Sequence, residues 1–220
     1  MKKLLILIAV ILLIILMVAV GAILVVRTLP ALLLNTRTEE GLPETIAVEE
    51  PPTALEAYAL VAPIAAQWSP DAYLFRVSAL PQSLTDRPTK GPCIGTDGRI
   101  AEHGVWLLQF MSAAQDRQLM VKVTALGELT TESTALVGPA SSYTALEPGW
   151  CDSSTAMAIA EKETGAAYRS DWGPMLDVLI ELDGYRQTWW VHYMPADPNG
   201  GRLHVYVDPV SQEVIDVVRQ

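Results

Sequence analysis

Two runs of alternating apolar and polar residues, joined by a Pro/Asn/Gly turn, commit a chain to an antiparallel hairpin. This sequence ends on such a pattern: TWWVHYM, then PADPNGG, then RLHVYVDPVSQEV. Period two sends successive side chains to opposite faces, and the turn composition closes the pair. The same pattern occurs earlier as VWLLQFM, a polar turn and RQLMVKV. Aligning Trp106 with Trp189 places Leu108 on Val191 and Phe110 on Tyr193. Leu119, Val121 and Val123 then fall on Leu203, Val205 and Val207. Each set occupies one side of its hairpin, and its bulk marks the side that packs on a helix.

The surrounding segments extend the echo. A helix over Ala54 to Trp68, a strand over Ala72 to Leu80 and a long loop precede the first hairpin, Val105 to Val123. A helix over Ser154 to Thr164, a strand over Met175 to Leu182 and a turn at Asp183-Gly184 precede the second. Leu55, Tyr58, Ala59 and Ala62 make the apolar stripe of the first helix, with Pro63 inside it. Ala156, Ile159, Ala160 and Glu163 follow the same spacing in the second, behind an N-cap at Asp152-Ser153. The expected class is α+β: two helix-plus-antiparallel-sheet (α-β-β-β) repeats, preceded by one transmembrane helix. The expected divisions are an anchor at 1–26, a linker at 27–52, and repeats at 53–140 and 141–220.

The anchor rests on Leu4 to Val26, which lacks charged or strongly polar side chains. A helix of that length crosses a hydrocarbon core of about 30 Å. Lys2 and Lys3 precede it, which favours a cytoplasmic N-terminus and a body outside, as a single-pass protein of the cell membrane. A cleaved signal peptide, with Val20-Gly21-Ala22 at the cut, is the rival reading. No cysteine lies near the run to take a lipid. Residues 27 to 52 are rich in proline and glutamate and read as an extended tether. The formal net charge of −10 repels phosphates and argues against nucleic acid as a partner.

At its C-terminal end the sequence VYVDPVSQEVIDV resembles the PepSY domain, whose closing strand typically runs Val-x-Val-Asp-Ala-x-Thr-Gly-Glu-Val. Val205, Val207, Asp208, Glu213 and Val214 match, while Pro209, Ser211 and Gln212 depart from it. In the first hairpin Thr124 takes the aspartate's place, and Glu128-Leu129 echoes Glu213-Val214. The resemblance implies two PepSY-like units over Thr53 to Gln220 with a role in inhibiting or regulating another protein. It brings no catalytic residues.

Cys93 and Cys151 are the two cysteines, and in an oxidising compartment they would form a disulfide. His192 and His204 share a face of the closing hairpin with Trp190, Met194 and Tyr206, which makes that face the candidate binding surface. If the turn centres on Pro198 the two imidazoles stand opposite each other, and a metal would need a third ligand such as Asp208 or His103. No close Cys/His spacing, nucleophile elbow, HExxH, phosphate loop or dinucleotide motif is present. The expectation is therefore no metal, no cofactor and no catalysis, with a hydrolase as the remote alternative. The loop Pro81 to Gly104 reads either as a binding loop or as a spacer fastened by Cys93.

The expected role is a membrane-held, extracytoplasmic module that binds or regulates another envelope or secreted protein, with protease inhibition as one form. The alternative is a small-ligand or metal sensor using the same face. Both hairpins leave a partly apolar second face: Leu107, Gln109, Met111, Met120 and Lys122 in one, the Trp190 set in the other. Either the two sheets stack on these faces, burying Trp190, or they join edge to edge.

Overall fold

The computed structural model of the chain describes residues 39–40, 44–82, 91–173, 177–195, 197 and 200–220. Residues Glu39–Gln220 form one unit. Helix α1 (Ala54–Trp68) starts on a capping box. Thr53 Oγ1 accepts from the Glu56 N–H, and Glu56 Oε2 accepts from the Thr53 N–H at 2.9 Å. These two bonds satisfy N–H groups that a helix start leaves without partners. The buried stripe is Ala54, Ala57, Val61 and Ala65, rotated from the expected one, and Leu55 is exposed. Small side chains let the helix axis lie close to the sheet.

The second helical segment is longer and less regular than the expected Ser154 to Thr164. It runs as α2 (Ser153–Ala160), a π turn (Glu161–Gly165) and α3 (Ala166–Trp172). Tyr193 lies against the π turn, where its hydroxyl donates to Glu161 Oε1 at 2.9 Å. A Cβ on Gly165 would collide with that hydroxyl.

Among the described residues the strands are β1 (Glu39–Glu40), β2 (Glu44–Thr45), β3 (Tyr73–Pro81), β4 (Gly104–Ser112), β5 (Arg117–Thr124), β6 (Glu128–Ala135), β7 (Asp177–Asp183), β8 (Thr188–Met194), β9 (Leu203–Val207) and β10 (Val214–Arg219). They make one antiparallel sheet in the order β1-β6-β5-β4-β3-β7-β8-β9-β10, with β2 also on β6. The expectation of two separate helix-plus-sheet repeats behind a transmembrane helix is thus corrected. The division fails at β3 and β7, which pair with each other through Val77↔Leu182 and Ala79↔Ile180. Both strands are buried on their two faces over most of their length, as central strands are and edge strands are not. Joining them edge to edge is what makes the sheet continuous.

About this joint the two hairpins keep one register. Trp106 faces Val123 and Leu108 faces Val121, while Trp189 faces Val207 and Val191 faces Val205. All six aligned pairs of apolar positions are buried in the core beneath the helices. Each tryptophan also fastens a helix start: Trp106 Nε1 donates to Pro52 O at 2.8 Å and Trp189 Nε1 to Cys151 O at 2.9 Å. The start of α2 also caps α1, Ala54 N donating to Ser153 Oγ and Leu55 N to Asp152 Oδ1.

Three further expectations are corrected. Among the described residues no helix is long and apolar enough to cross a membrane. The run Leu4 to Val26 lies outside them, so the single-pass anchor, its membrane location and the extracytoplasmic placement built on it are withdrawn. Cys93 and Cys151 are both buried, and no disulfide joins them. Their surroundings hold them apart in role: Cys93 Sγ donates to Asp177 Oδ1 at 3.6 Å, while Cys151 lies at the start of α2 with its N–H on Pro209 O. Finally, part of the presumed tether is paired, β1 and β2 both lying on β6.

The described end of the long loop serves packing. Ile94 and Ile100 bridge to each other and are buried in the core. Ser153 Oγ donates to Gly98 O, and Arg99 pairs with Glu50 and Glu56. Residues 83–90 of that loop lie outside the described residues.

Candidate functional site

Alternation in β8 and β9 sends Trp189, Val191, Tyr193, Leu203, Val205 and Val207 under the helices, and Trp190, His192, His204 and Tyr206 to the other face. The strand register sets Trp190 opposite Tyr206 and His192 opposite His204. The four side chains form one cluster. Trp190 lies 3.8 Å from His192 between ring centroids and is stacked on Tyr206 at 5.6 Å and 18°. Arg186 from the β7–β8 turn places its guanidinium carbon 4.5 Å from the Trp190 ring centroid, a cation–π arrangement. Met194 shares the face but sits at the strand end, opposite Asp177.

Trp190 Nε1 donates to His204 Nδ1 at 3.2 Å. An indole nitrogen can only donate, so His204 Nδ1 accepts and its ring proton sits on Nε2. His192 Nδ1 also stands 3.2 Å from that atom, so the indole and both imidazoles meet at one point. Burial, with a smaller contribution from Arg202, holds the His204 pKa below its usual value. His204 is thereby biased toward its neutral form. Among the described residues no three His, Cys, Asp or Glu side chains gather to hold a metal. Asp208 is occupied otherwise: its Oδ1 accepts from Val210 N and Ser211 N, both at 2.8 Å. His103 lines a separate cleft beside Glu102.

The same face carries a polar cleft of about 460 Å³ that the sequence reading missed. Its walls include Phe75, Arg76, Gln109, Tyr143, Asp183 and Arg186. Arg76 and Gln109 are register partners on β3 and β4, and Asp183 faces Arg76 from β7. The walls are braced. Tyr143 packs edge-on to Phe75 at 5.0 Å, its hydroxyl holds the Val137 backbone, and Tyr73 Oη donates to Tyr143 O at 2.8 Å. Gln187 ties the β7–β8 turn to this segment, donating to Ala145 O and accepting from Glu147 N. Gly184 permits the contact, since a Cβ there would overlap Thr144 O. Parity in β3 does send Arg76 to the face opposite Val77, but nothing in the chain marks it as sharing a cleft with Arg186.

No family model matches the chain, and no curated protein matches it. Among solved structures, a Clostridium difficile 630 crystal structure described as a "putative lipoprotein" is similar at 16% identity and a TM-score of 0.48. The alignment covers 74% of this chain and 92% of that one.

Proposed function

We propose that this protein is a non-catalytic binding module that receives another protein on the helix-free face of its sheet. The observation that carries the reading is the Trp190, His192, His204 and Tyr206 cluster, with Arg186 over the indole. Trp, Tyr and Arg are the residues that most often dominate binding energy at protein interfaces. Here they are pre-stacked, so little side-chain freedom is lost when a partner lands. Strand addition at a sheet edge fits less well. β10 is interrupted by a register shift between Val214 and Asp216, and β1 and β2 span two residues each. Short or bulged edges discourage pairing with a further strand.

The likeness of the closing strand to PepSY domains supports a role in regulating another protein. The positions of that motif serve the fold here. Asp208 caps the turn, and Gln212 occupies the glycine position of the motif with φ 61. The regulatory surface therefore has to lie elsewhere, and the Trp190 face is the prepared one.

Selection of peptides from a displayed library on the full chain tests this reading. Selected peptides are expected to lose at least about tenfold in affinity on Trp190→Ala, a loss of about 1.4 kcal/mol. Leu126→Ala, at an exposed position in the β5–β6 turn, should leave them unchanged. Peptides that bind Trp190→Ala as well as the unaltered protein would overturn the reading.

A further inference from the structure

We infer that the cleft between Arg76 and Arg186 is a carboxylate-recognition subsite of the binding face; the inference rests on the reading of that face above. Arg76 is the first reason. Its guanidinium side chain is 43% exposed, and Glu181 Oε1 stands 3.8 Å from Nε, beyond hydrogen-bonding distance. Arg76 Nε has no hydrogen-bond partner among the described residues, and neither does the neighbouring Gln109 Oε1. Buried polar atoms are nearly always paired, so two orphans lining one cleft point to a ligand that completes them. The cleft brings a donor-rich fork and an amide acceptor together, which suits a carboxylate next to an N–H group.

Charge narrows the class. Arg76 and Arg186 line the cleft with Asp183, and Glu181 stands beside Arg76 while its Oε2 accepts from Ser78 Oγ at 3.2 Å. Two cations against two carboxylates sum to no net charge, so a dianion would meet more repulsion there than a monoanion held by directed hydrogen bonds. A monocarboxylate is therefore favoured over a phosphate dianion, and its planar oxygens match the guanidinium fork. The Tyr143 ring in the wall suits an aromatic or apolar group beside that carboxylate. Because Arg186 also covers Trp190, a peptide ending in this cleft would continue onto the Trp190 cluster. The same chemistry is available from a peptide C-terminus or from a small free acid.

The test uses the full chain and follows the arginine Nε–H signals by NMR. The probes are acetyl-Gly-Gly-Phe as free acid, the same peptide amidated, phenylacetate and inorganic phosphate. The free acid should shift the Arg76 and Arg186 signals saturably, with the amide about tenfold weaker, as loss of one charged hydrogen bond implies. Arg76→Gln and Arg186→Gln should each weaken the acid by a similar factor. Arg186 is exposed in a turn, so its variant carries the test if Arg76→Gln does not fold. Phenylacetate matching the peptide assigns the site to small acids, and a clear peptide advantage assigns it to chain termini. Equal binding of acid and amide, preference for phosphate, no saturable shift with any probe, or indifference to both substitutions would overturn the inference. Library peptides that depend on Trp190 but ignore both arginines would sink this subsite and leave the binding face standing.

Discussion

Asp71, just ahead of β3, accepts hydroxyl protons from Ser69 and Ser112, both at 2.6 Å, and the Ala114 N–H at 2.9 Å. The Ser112 and Ser69 bonds, in that order, lower its pKa to about 2. A carboxyl whose folded pKa lies below its unfolded value stabilises the fold above the unfolded pKa, and the effect disappears as pH falls through the folded one. Asp71→Asn should therefore flatten the loss of stability between about pH 4 and pH 2 in acid titrations followed by circular dichroism. An unchanged acid limb would contradict the assignment. His204 acts with the same sign in another window. Burial lowers its pKa, so protonation below about pH 6.5 should destabilise the fold, and His204→Phe should remove that slope. Gln212 holds a left-handed backbone at φ 61, which costs a side-chain-bearing residue about 1 kcal/mol. Gln212→Gly should raise the urea midpoint by roughly 0.5–1 kcal/mol of stability, part of the relief being offset by the glycine's freedom in the unfolded chain. Gly127 fills the matching position after Thr124, with φ 77.

Period two decided most of what was legible among the elements. It assigned Trp106, Leu108, Phe110 and their counterparts to the core side and Trp190, His192, His204 and Tyr206 to the other, because side-chain parity is a local property of a strand. Helix rotation was read less well. Ala54, Ala57, Val61 and Ala65 are small, and the bulkier Leu55 and Tyr58 drew the stripe toward themselves. Strand β6, ELTTESTA, has Leu129 as its one large apolar residue and so shows no apolar alternation. The π turn at Glu161–Gly165 is likewise a tertiary effect, set by the Tyr193 hydroxyl reaching Glu161. Gly165→Ala would press a methyl group on that hydroxyl and should cost about 1–3 kcal/mol in thermal or urea unfolding, the range for overpacked sites. Tyr193→Phe in the same background should recover part of the loss. The cysteines show where composition misleads: two thiols suggested a bridge, whereas burial raises the Cys151 pKa to about 11 and leaves it unreactive. Both should resist alkylation at pH 8 in the folded protein and react once it is unfolded.

At the scale of the whole molecule, local patterns could not reveal that β3 pairs with β7. That contact joins segments far apart in sequence, and β7 carries Asp177, Glu181 and Asp183 on one face, a pattern that by itself reads as a half-solvated strand. The joint turns two hairpins into one sheet, with the helices on one side and the aromatic and arginine groups on the other. Neighbouring residues then have opposite roles. Trp189 is fully buried under α2, and Trp190 is half-buried on the helix-free face. Equilibrium urea unfolding of Trp189→Ala and Trp190→Ala compares the two faces directly. Trp189→Ala should lose about 3–5 kcal/mol, as large buried aromatics do. Trp190→Ala should lose about 1 kcal/mol, the value of its ring contacts. A Trp190→Ala loss as large as that of Trp189→Ala would show that the face is core, and the account of it as a binding surface would fall.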